Sequence, residues 1–236
     1  VTQILEVSSN IGTSSIIEKY YGSNPQKFVD GLKRMSIDQP LQLQIAGEGK
    51  PNIKGPKERY FAKTTLPWMS IGYETQVPPM NILTFYNAIA NNGVMVRPKF
   101  VKAAIKNGEI VKEYPTEIIN PKICSERTLK QIQEILYKVV HEGLAAPAGS
   151  KQFAVSGKTG TAQENKKRPN HALFISYAPY DNPDITMTVV VPNGYTSANA
   201  AEIARDIYKY YFGKASKAEK KATTALLPTG SDGSND

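Results

Sequence analysis

One short run in the chain places a cation, several hydroxyls and two glycines side by side. It reads Val155-Ser156-Gly157-Lys158-Thr159-Gly160-Thr161-Ala162-Gln163. The Lys158 ammonium and the hydroxyls of Thr159 and Thr161 are donors suited to a single carboxylate. Gly160 weakens a strand but allows another chain to approach its backbone closely. The run therefore predicts a strand that binds an extended, anionic ligand along a free edge.

A second polar group, Ser8-Ser9-Asn10, interrupts the apolar pattern of residues 1–21 and predicts two helical pieces around a break. Serine and asparagine compete with the backbone for hydrogen bonds and favour helix caps. Taken alone, the group is explained by an N-cap at Ser9 or Asn10 without any chemistry.

Secondary-structure patterns predict the elements that must position these groups. Strands are predicted at 155–163, 171–179 and 185–191, and short turns between them require antiparallel pairing. Helices are predicted near 25–35, 80–93, 126–141 (capped by Ser125) and 198–212, and Asn107-Gly108 predicts a hairpin between 100–105 and 109–114. An irregular stretch, 36–67, is expected to shape the wall of a cleft. The fold class predicted is α+β, an antiparallel sheet flanked by helices.

Composition describes an ordinary globular chain of 236 residues that is 40% hydrophobic, with a net charge of +8. Part of that charge lies in residues 214–236, whose Ala, Lys, Thr, Ser and Gly content predicts a disordered tail. No aromatic and basic nucleic-acid motif is present. Cys124 stands alone, and His141 and His171 are too few for a histidine-based metal site, so we expect neither a metal nor a cofactor.

The order of the motifs, with Ser8-Ser9-Asn10 first and Lys158-Thr159-Gly160-Thr161 last, resembles class B penicillin-binding proteins, the peptidoglycan D,D-transpeptidases. The resemblance covers residues 1–213. The stretch from Ser70-Ile71-Gly72-Tyr73 through Val94-Met95-Val96-Arg97-Pro98 is similar to the division-type members especially. The resemblance as a whole implies the fold of penicillin-binding proteins and serine β-lactamases.

Three motifs meet in one cleft in that family, and this chain carries two of them. Ser8 and Asn10 match the Ser-x-Asn motif, and Lys158, Thr159 and Gly160 match the Lys-Thr-Gly motif. The nucleophile motif, Ser-x-x-Lys, is absent, because no serine has a lysine three positions later. We therefore expect the nucleophile, two further strands of the sheet and a membrane anchor to precede Val1, which makes the chain the C-terminal part of a transpeptidase domain.

The resemblance also implies roles for the residues of the two motifs. Ser8 and Lys158 would relay a proton to the leaving nitrogen of a D-Ala-D-Ala amide, and Asn10 would bridge a lysine and the substrate carbonyl. The Thr161 N–H would stabilise an oxyanion, and Thr159 and Thr161 would hold the terminal carboxylate. Stem peptides, β-lactams and other wall-synthesis proteins are the partners implied, at the extracytoplasmic face of a bacterial membrane, in cell division or cell shape.

Two other functional classes remain open. A D,D-carboxypeptidase or β-lactamase would use the same cleft wall but needs a positioned water and a base for deacylation. A non-catalytic β-lactam or cell-wall sensor is favoured by the missing nucleophile. As it stands, residues 1–236 are expected to be inactive, because they lack an activated nucleophile.

Overall fold

A computed structural model of the chain describes residues 1–163 and 167–225, with side chains through residue 214. Helices α1 to α7 span, in order, Thr2–Glu6, Asn10–Tyr21, Pro25–Arg34, Thr65–Met69, Pro79–Ala90, Glu126–His141 and Ser197–Ala225. Strands β1 to β9 span, in order, Asn52–Ile53, Thr75–Gln76, Met95–Val96, Ala103–Lys106, Glu109–Glu113, Ile118–Asn120, Ser156–Ala162, His171–Ala178 and Ile185–Val191.

The largest sheet consists of β7, β8 and β9, in that spatial order and antiparallel throughout. Its register pairs Lys158 with Ile175 and Gly160 with Leu173. Strand β7 lies at one edge, so one side of its backbone is unpaired within the described strands. The α+β class and the antiparallel pairing predicted from the sequence are confirmed.

Alternate residues of the central strand β8 face two different hydrophobic clusters, as the two-residue period of a strand requires. Phe174 is fully buried against α7, where Ala200, Ala201 and Ala204 let the helix lie close to the sheet. Tyr177 belongs to the other cluster, which contains residues from α5 and α6. The sheet is thus covered by helices on both faces.

The N-terminal helices form the wall opposite the β7 edge. Helix α1 packs against α6, and α2 packs against α4. The hydroxyl of Ser14 on α2 donates to the carbonyl of Pro67 on α4 at 3.2 Å and lies 3.3 Å from Ser70 Oγ. These contacts fix the segment after α4 relative to the α1–α2 junction.

Two of the strongest local patterns have the predicted structure. Helix α6 begins after Ser125, whose Oγ accepts from the Thr128 N–H at 3.2 Å. Strands β4 and β5 form the predicted hairpin, with Asn107 and Gly108 both at positive φ. Residues of this turn type adopt that conformation because it matches the twist of the flanking strands.

Two segments differ from the sequence-based expectations. The stretch predicted as irregular, 36–67, contains β1 and the start of α4. Helix α7 does not end near Phe212 but continues to Ala225, so residues 214–225 of the predicted disordered tail are helical in the structure. Residues 226–236, and residues 164–166 of the predicted turn after β7, lie outside the described residues.

Candidate active site

Ser8 lies in the turn between α1 and α2, in a left-handed backbone conformation with φ 50°. Its N–H donates to the Leu5 carbonyl at 3.2 Å, and the Ser9 N–H donates to the Ile4 carbonyl at 2.8 Å. This pair of bonds is the usual way to close a helix around one left-handed residue, most often glycine. A serine there is strained by on the order of 1 kcal/mol.

The neighbouring residues Ser9 and Asn10 have different roles in the same turn. Ser9 is the N-cap of α2, and its Oγ accepts from the Gly12 N–H at 3.1 Å. The capping role predicted for this segment is therefore confirmed at Ser9. Ser8 takes no part in that cap, and Asn10, the first residue of α2, is exposed at the cleft.

Lys158 on β7 reaches across to this turn. Its Nζ donates to Ser8 Oγ at 2.7 Å and to the Thr159 carbonyl at 3.1 Å. Because the ammonium has donors only, Ser8 Oγ is the acceptor, and its own hydrogen is free to point into the cleft. Burial lowers the pKa of Lys158 below its ordinary value, since desolvation disfavours the charged form.

All six residues predicted from the two motifs lie around one cleft of about 710 Å³. The α1–α2 junction provides Ser8 and Asn10, and the free edge of β7 provides Lys158, Thr159, Gly160 and Thr161. A Cβ added to Gly160 would lie 3.5 Å from Leu173 Cβ, which is ordinary contact. Nothing within the described chain therefore requires glycine at this position.

The cleft has further walls that the sequence motifs did not reveal. Ser70, Ile71 and Tyr73 line it from the segment after α4, and Tyr73 packs edge-on against Trp68 with ring centroids 5.3 Å apart. The only hint in the sequence was the similarity of Ser70-Ile71-Gly72-Tyr73 to one family group, which assigns no role to a side chain.

The start of α7 forms another unpredicted wall of the cleft, through Thr196, Ser197 and Ala198. The N-terminus of a long helix carries a partial positive charge. Together with Lys158 it gives this end of the cleft a positive potential, which favours a carboxylate ligand.

No aspartate, glutamate or histidine is among the described residues that line the cleft. Within the same described ranges, no cluster of His, Cys, Asp and Glu is arranged to hold a metal ion. None of the helices in residues 1–163 and 167–225 combines the length and the hydropathy needed to cross a bilayer.

Comparison with known protein families identifies the family that carries this cleft. The model that describes the penicillin binding protein transpeptidase domain matches residues 1–209. The chain belongs to this transpeptidase family. The resemblance inferred from the two motifs is confirmed.

Curated relatives include the peptidoglycan D,D-transpeptidase MrdA of Haemophilus influenzae, 29% identical over 222 residues that cover 81% of this chain and 33% of that protein. Penicillin-binding protein 2B of Streptococcus pneumoniae is 30% identical over 172 residues, which cover 66% of this chain and 25% of that protein. The chain thus spans a quarter to a third of the length of these relatives.

Solved structures support the same fold. Penicillin-binding protein 3 of Mycobacterium tuberculosis, determined in complex with ampicillin, superposes with a TM-score of 0.77 at 22% identity, over 90% of this chain and 51% of that one. The penicillin-binding protein fold predicted for this chain is therefore confirmed.

Proposed function

We propose that this chain forms the substrate-binding and proton-transfer wall of a peptidoglycan D,D-transpeptidase, with a Ser-x-x-Lys nucleophile supplied from outside residues 1–236. The observation that carries the proposal is the hydrogen bond from Lys158 Nζ to Ser8 Oγ, 2.7 Å long, at the free edge of β7. It joins residues of two separate motifs at the place where an extended ligand could pair with the strand.

Acyl transfer requires one bond to form and one to break. The lysine of the Ser-x-x-Lys motif takes the hydroxyl proton of the nucleophilic serine as the serine oxygen attacks the carbonyl carbon between two D-alanines, and the carbon–nitrogen bond then breaks. The leaving nitrogen takes the hydrogen of the Ser8 hydroxyl, and Lys158 replaces that hydrogen with one of its own. Because Lys158 already donates to Ser8 Oγ, the relay is aligned before substrate binds.

The remaining residues bind the substrate. The hydroxyls of Thr159 and Thr161 hold its terminal carboxylate, in the positive potential of Lys158 and the α7 N-terminus. The Thr161 N–H donates to the oxyanion that forms during attack. Asn10 donates its side-chain amide to a substrate carbonyl and accepts from the lysine of the Ser-x-x-Lys motif.

The lining of the cleft favours transfer over hydrolysis. A carboxypeptidase or β-lactamase needs a base that activates water for deacylation. The cleft residues that the structure describes include no aspartate, glutamate or histidine for that task. Among the described residues, this lining favours transfer of the acyl group to an amine acceptor.

The proposal places the reaction at the extracytoplasmic face of a bacterial membrane, through an anchor outside residues 1–236. Stem peptides ending in D-Ala-D-Ala and β-lactams are the ligands, and other wall-synthesis proteins of division or elongation are the partners. The name of the Haemophilus influenzae relative, a peptidoglycan D,D-transpeptidase, supports the assignment to wall synthesis.

The test is labelling with a fluorescent penicillin. Residues 1–236 alone should form no covalent adduct, whereas a polypeptide that continues upstream to a Ser-x-x-Lys motif should be labelled once per chain. Changing that upstream serine to alanine should abolish the label. A stoichiometric adduct on residues 1–236 alone would place the nucleophile within them, and an unlabelled longer polypeptide would favour the sensor function.

A further inference from the structure

A groove of about 550 Å³ continues the cleft along β7 and shares Gly160 and Thr161 with it. One side is formed by the C-terminal end of β7 with Ala162 and Gln163, and the other by residues of β1, β2 and the turn before β2. From Lys158 to Gln163 an extended chain rises about 17 Å, at roughly 3.3 Å per residue. A peptide held at the cleft can therefore extend several residues into this groove.

Lys54 and Glu74 face each other across the outer wall of the groove. Strands β1 and β2 are antiparallel, and their register pairs Asn52 with Gln76 and Ile53 with Thr75. Lys54 follows β1 and Glu74 precedes β2, so the same register brings these two residues opposite each other. Their side chains form an ion pair, and they are 28% and 36% exposed. They are the charged side chains among the groove residues that the structure describes.

The backbone of Glu74 is strained, so the presence of glutamate rather than glycine at this position calls for an explanation. Its φ is 57°, in the left-handed region that glycine adopts without cost. A partly exposed ion pair contributes little stability, typically less than about 1 kcal/mol, so it does not clearly compensate for the strain. A strained residue beside a binding groove suggests a role in binding.

We propose that Lys54 and Glu74 select a peptide whose side chain ends in an ammonium and a carboxylate on the same carbon. This inference rests on the proposed function and assigns a substrate class to the same site. The peptide lies along the free edge of β7 with its D-alanyl-D-alanine end in the cleft. The preceding residue then extends its side chain into the groove, with its carboxylate on Lys54 and its ammonium on Glu74.

Charge balance explains why a zwitterionic group is preferred. A ligand group with a single charge must break the existing Lys54–Glu74 pair, and it leaves one partner without a counter-ion. A zwitterionic group replaces one ion pair with two, so both charges of the protein stay paired. A lysine side chain, which carries only an ammonium, should therefore bind more weakly than a diaminopimelate side chain.

The experiment measures equilibrium binding of two peptides to the full-length protein by ligand-observed NMR. Both end in D-alanyl-D-alanine, and they differ only in the preceding residue, which is lysine in one and diaminopimelate in the other. We expect the diaminopimelate peptide to bind tighter by roughly threefold to tenfold at low ionic strength. Lys54→Met should abolish this preference, and Glu74→Gln should weaken binding of both peptides.

Two control variants separate selection from structure. Glu74→Gly removes the charge and the backbone strain together, so it should weaken binding of both peptides as Glu74→Gln does, while unfolding at the same or a higher temperature. Glu117→Gln breaks the ion pair with Arg97 on another surface and should leave the preference unchanged. Equal binding of the two peptides to the unmodified protein, or an undiminished preference in Lys54→Met, would overturn the inference.

The proposed function is tested separately, by measuring acylation by a fluorescent penicillin in the same variants. Acylation that proceeds normally while peptide preference is absent would refute only the selection by Lys54 and Glu74. A clear preference without acylation would refute only the transpeptidase assignment.

Discussion

The two halves of β7 belong to one strand but meet different environments. In the first half, Ser156 and Gly157 are buried, and a Cβ on Gly157 would lie 2.6 Å from the Ile175 carbonyl oxygen and 2.8 Å from Phe174 Cζ. In the second half, a Cβ on Gly160 would meet only Leu173, at 3.5 Å. The first glycine is required by the packing of the fold, and the second is not.

This difference indicates which part of the strand is available for ligands. Strand β8 and the core occupy the space around Gly157, so a ligand cannot approach there. Around Gly160 the cleft and the groove meet, and Lys158 reaches Ser8 just beside it. Gly160 is not needed by the fold, and it lies next to the polar pair Lys158 and Ser8. These two features together point to a ligand that lies against the backbone.

The largest effect is expected when Gly160 is changed to valine in a polypeptide that carries the upstream nucleophile. The added side chain projects beside Lys158 and displaces the ligand, which should slow penicillin acylation by on the order of 10²-fold or more. The measurement is the second-order acylation rate constant. Gly160→Ala should slow acylation less, while its thermal unfolding stays near that of the unmodified protein. Normal acylation of the valine variant would show that ligands do not approach Gly160.

Gly157→Ala should instead destabilise the protein, by about 1–3 kcal/mol, because its Cβ collides with the Ile175 carbonyl oxygen and with side-chain atoms of Phe174 and Ser176 on β8. Denaturant unfolding measures this loss. Gly213→Ala is a matched control on α7, where a Cβ meets no atom within 4 Å. That control should be neutral or slightly stabilising, since alanine is the better helix former. Equal stability of the two variants would contradict the tight packing at Gly157.

Ser8 and Ser9 show a similar contrast, with smaller expected effects, between a residue that serves the site and one that serves the fold. Ser9→Ala removes the N-cap of α2 and should cost about 1 kcal/mol of stability. Ser8→Gly removes the hydroxyl that accepts from Lys158 but relieves the left-handed strain, so it should slow acylation without loss of stability. Parallel measurements of unfolding and acylation test this. A stability loss at Ser8→Gly larger than at Ser9→Ala would give Ser8 a structural role.

The smallest effect concerns pH. Burial lowers the pKa of Lys158 below its usual value of 10.5, so the ammonium loses its proton at a lower pH than an ordinary lysine. Because the protonated form donates to Ser8, acylation should fall as pH rises through this lowered pKa. The rate profile measured from neutral to alkaline pH should therefore descend below pH 10.5. Lys158→Arg, whose charge persists, should lose that descending limb even if its overall rate is low.

The sequence predicted elements with strong local signals and missed those that depend on distant contacts. Helix α6, with its Ser125 cap, and the hairpin at Asn107-Gly108 were identified because a few adjacent residues determine them. Strands β1 and β2 were missed, because each has two residues and their pairing forms only in the folded chain.

The candidate site was predicted only in part, because it too depends on contacts between distant parts of the chain. Lys158 and Ser8 lie 150 positions apart, and only the order of the motifs suggested that they meet. The left-handed conformation of Ser8 was not predicted, because that position usually carries glycine. Lys54 and Glu74 belong to segments without a recognisable motif, and the family similarity around Tyr73 assigned no role to its side chain. The places of these residues in the cleft and groove therefore required the fold.

The relay between Lys158 and Ser8 is tested most directly by a double-mutant cycle on the acylation rate. Lys158→Arg keeps the charge but replaces the compact ammonium, and Ser8→Ala removes the hydroxyl. Each change alone should slow acylation by on the order of 10²-fold or more, and the double variant should be little slower than either. Fully additive losses would contradict the relay, making Lys158 a simple anchor for the substrate carboxylate and Ser8 a residue of the helix turn.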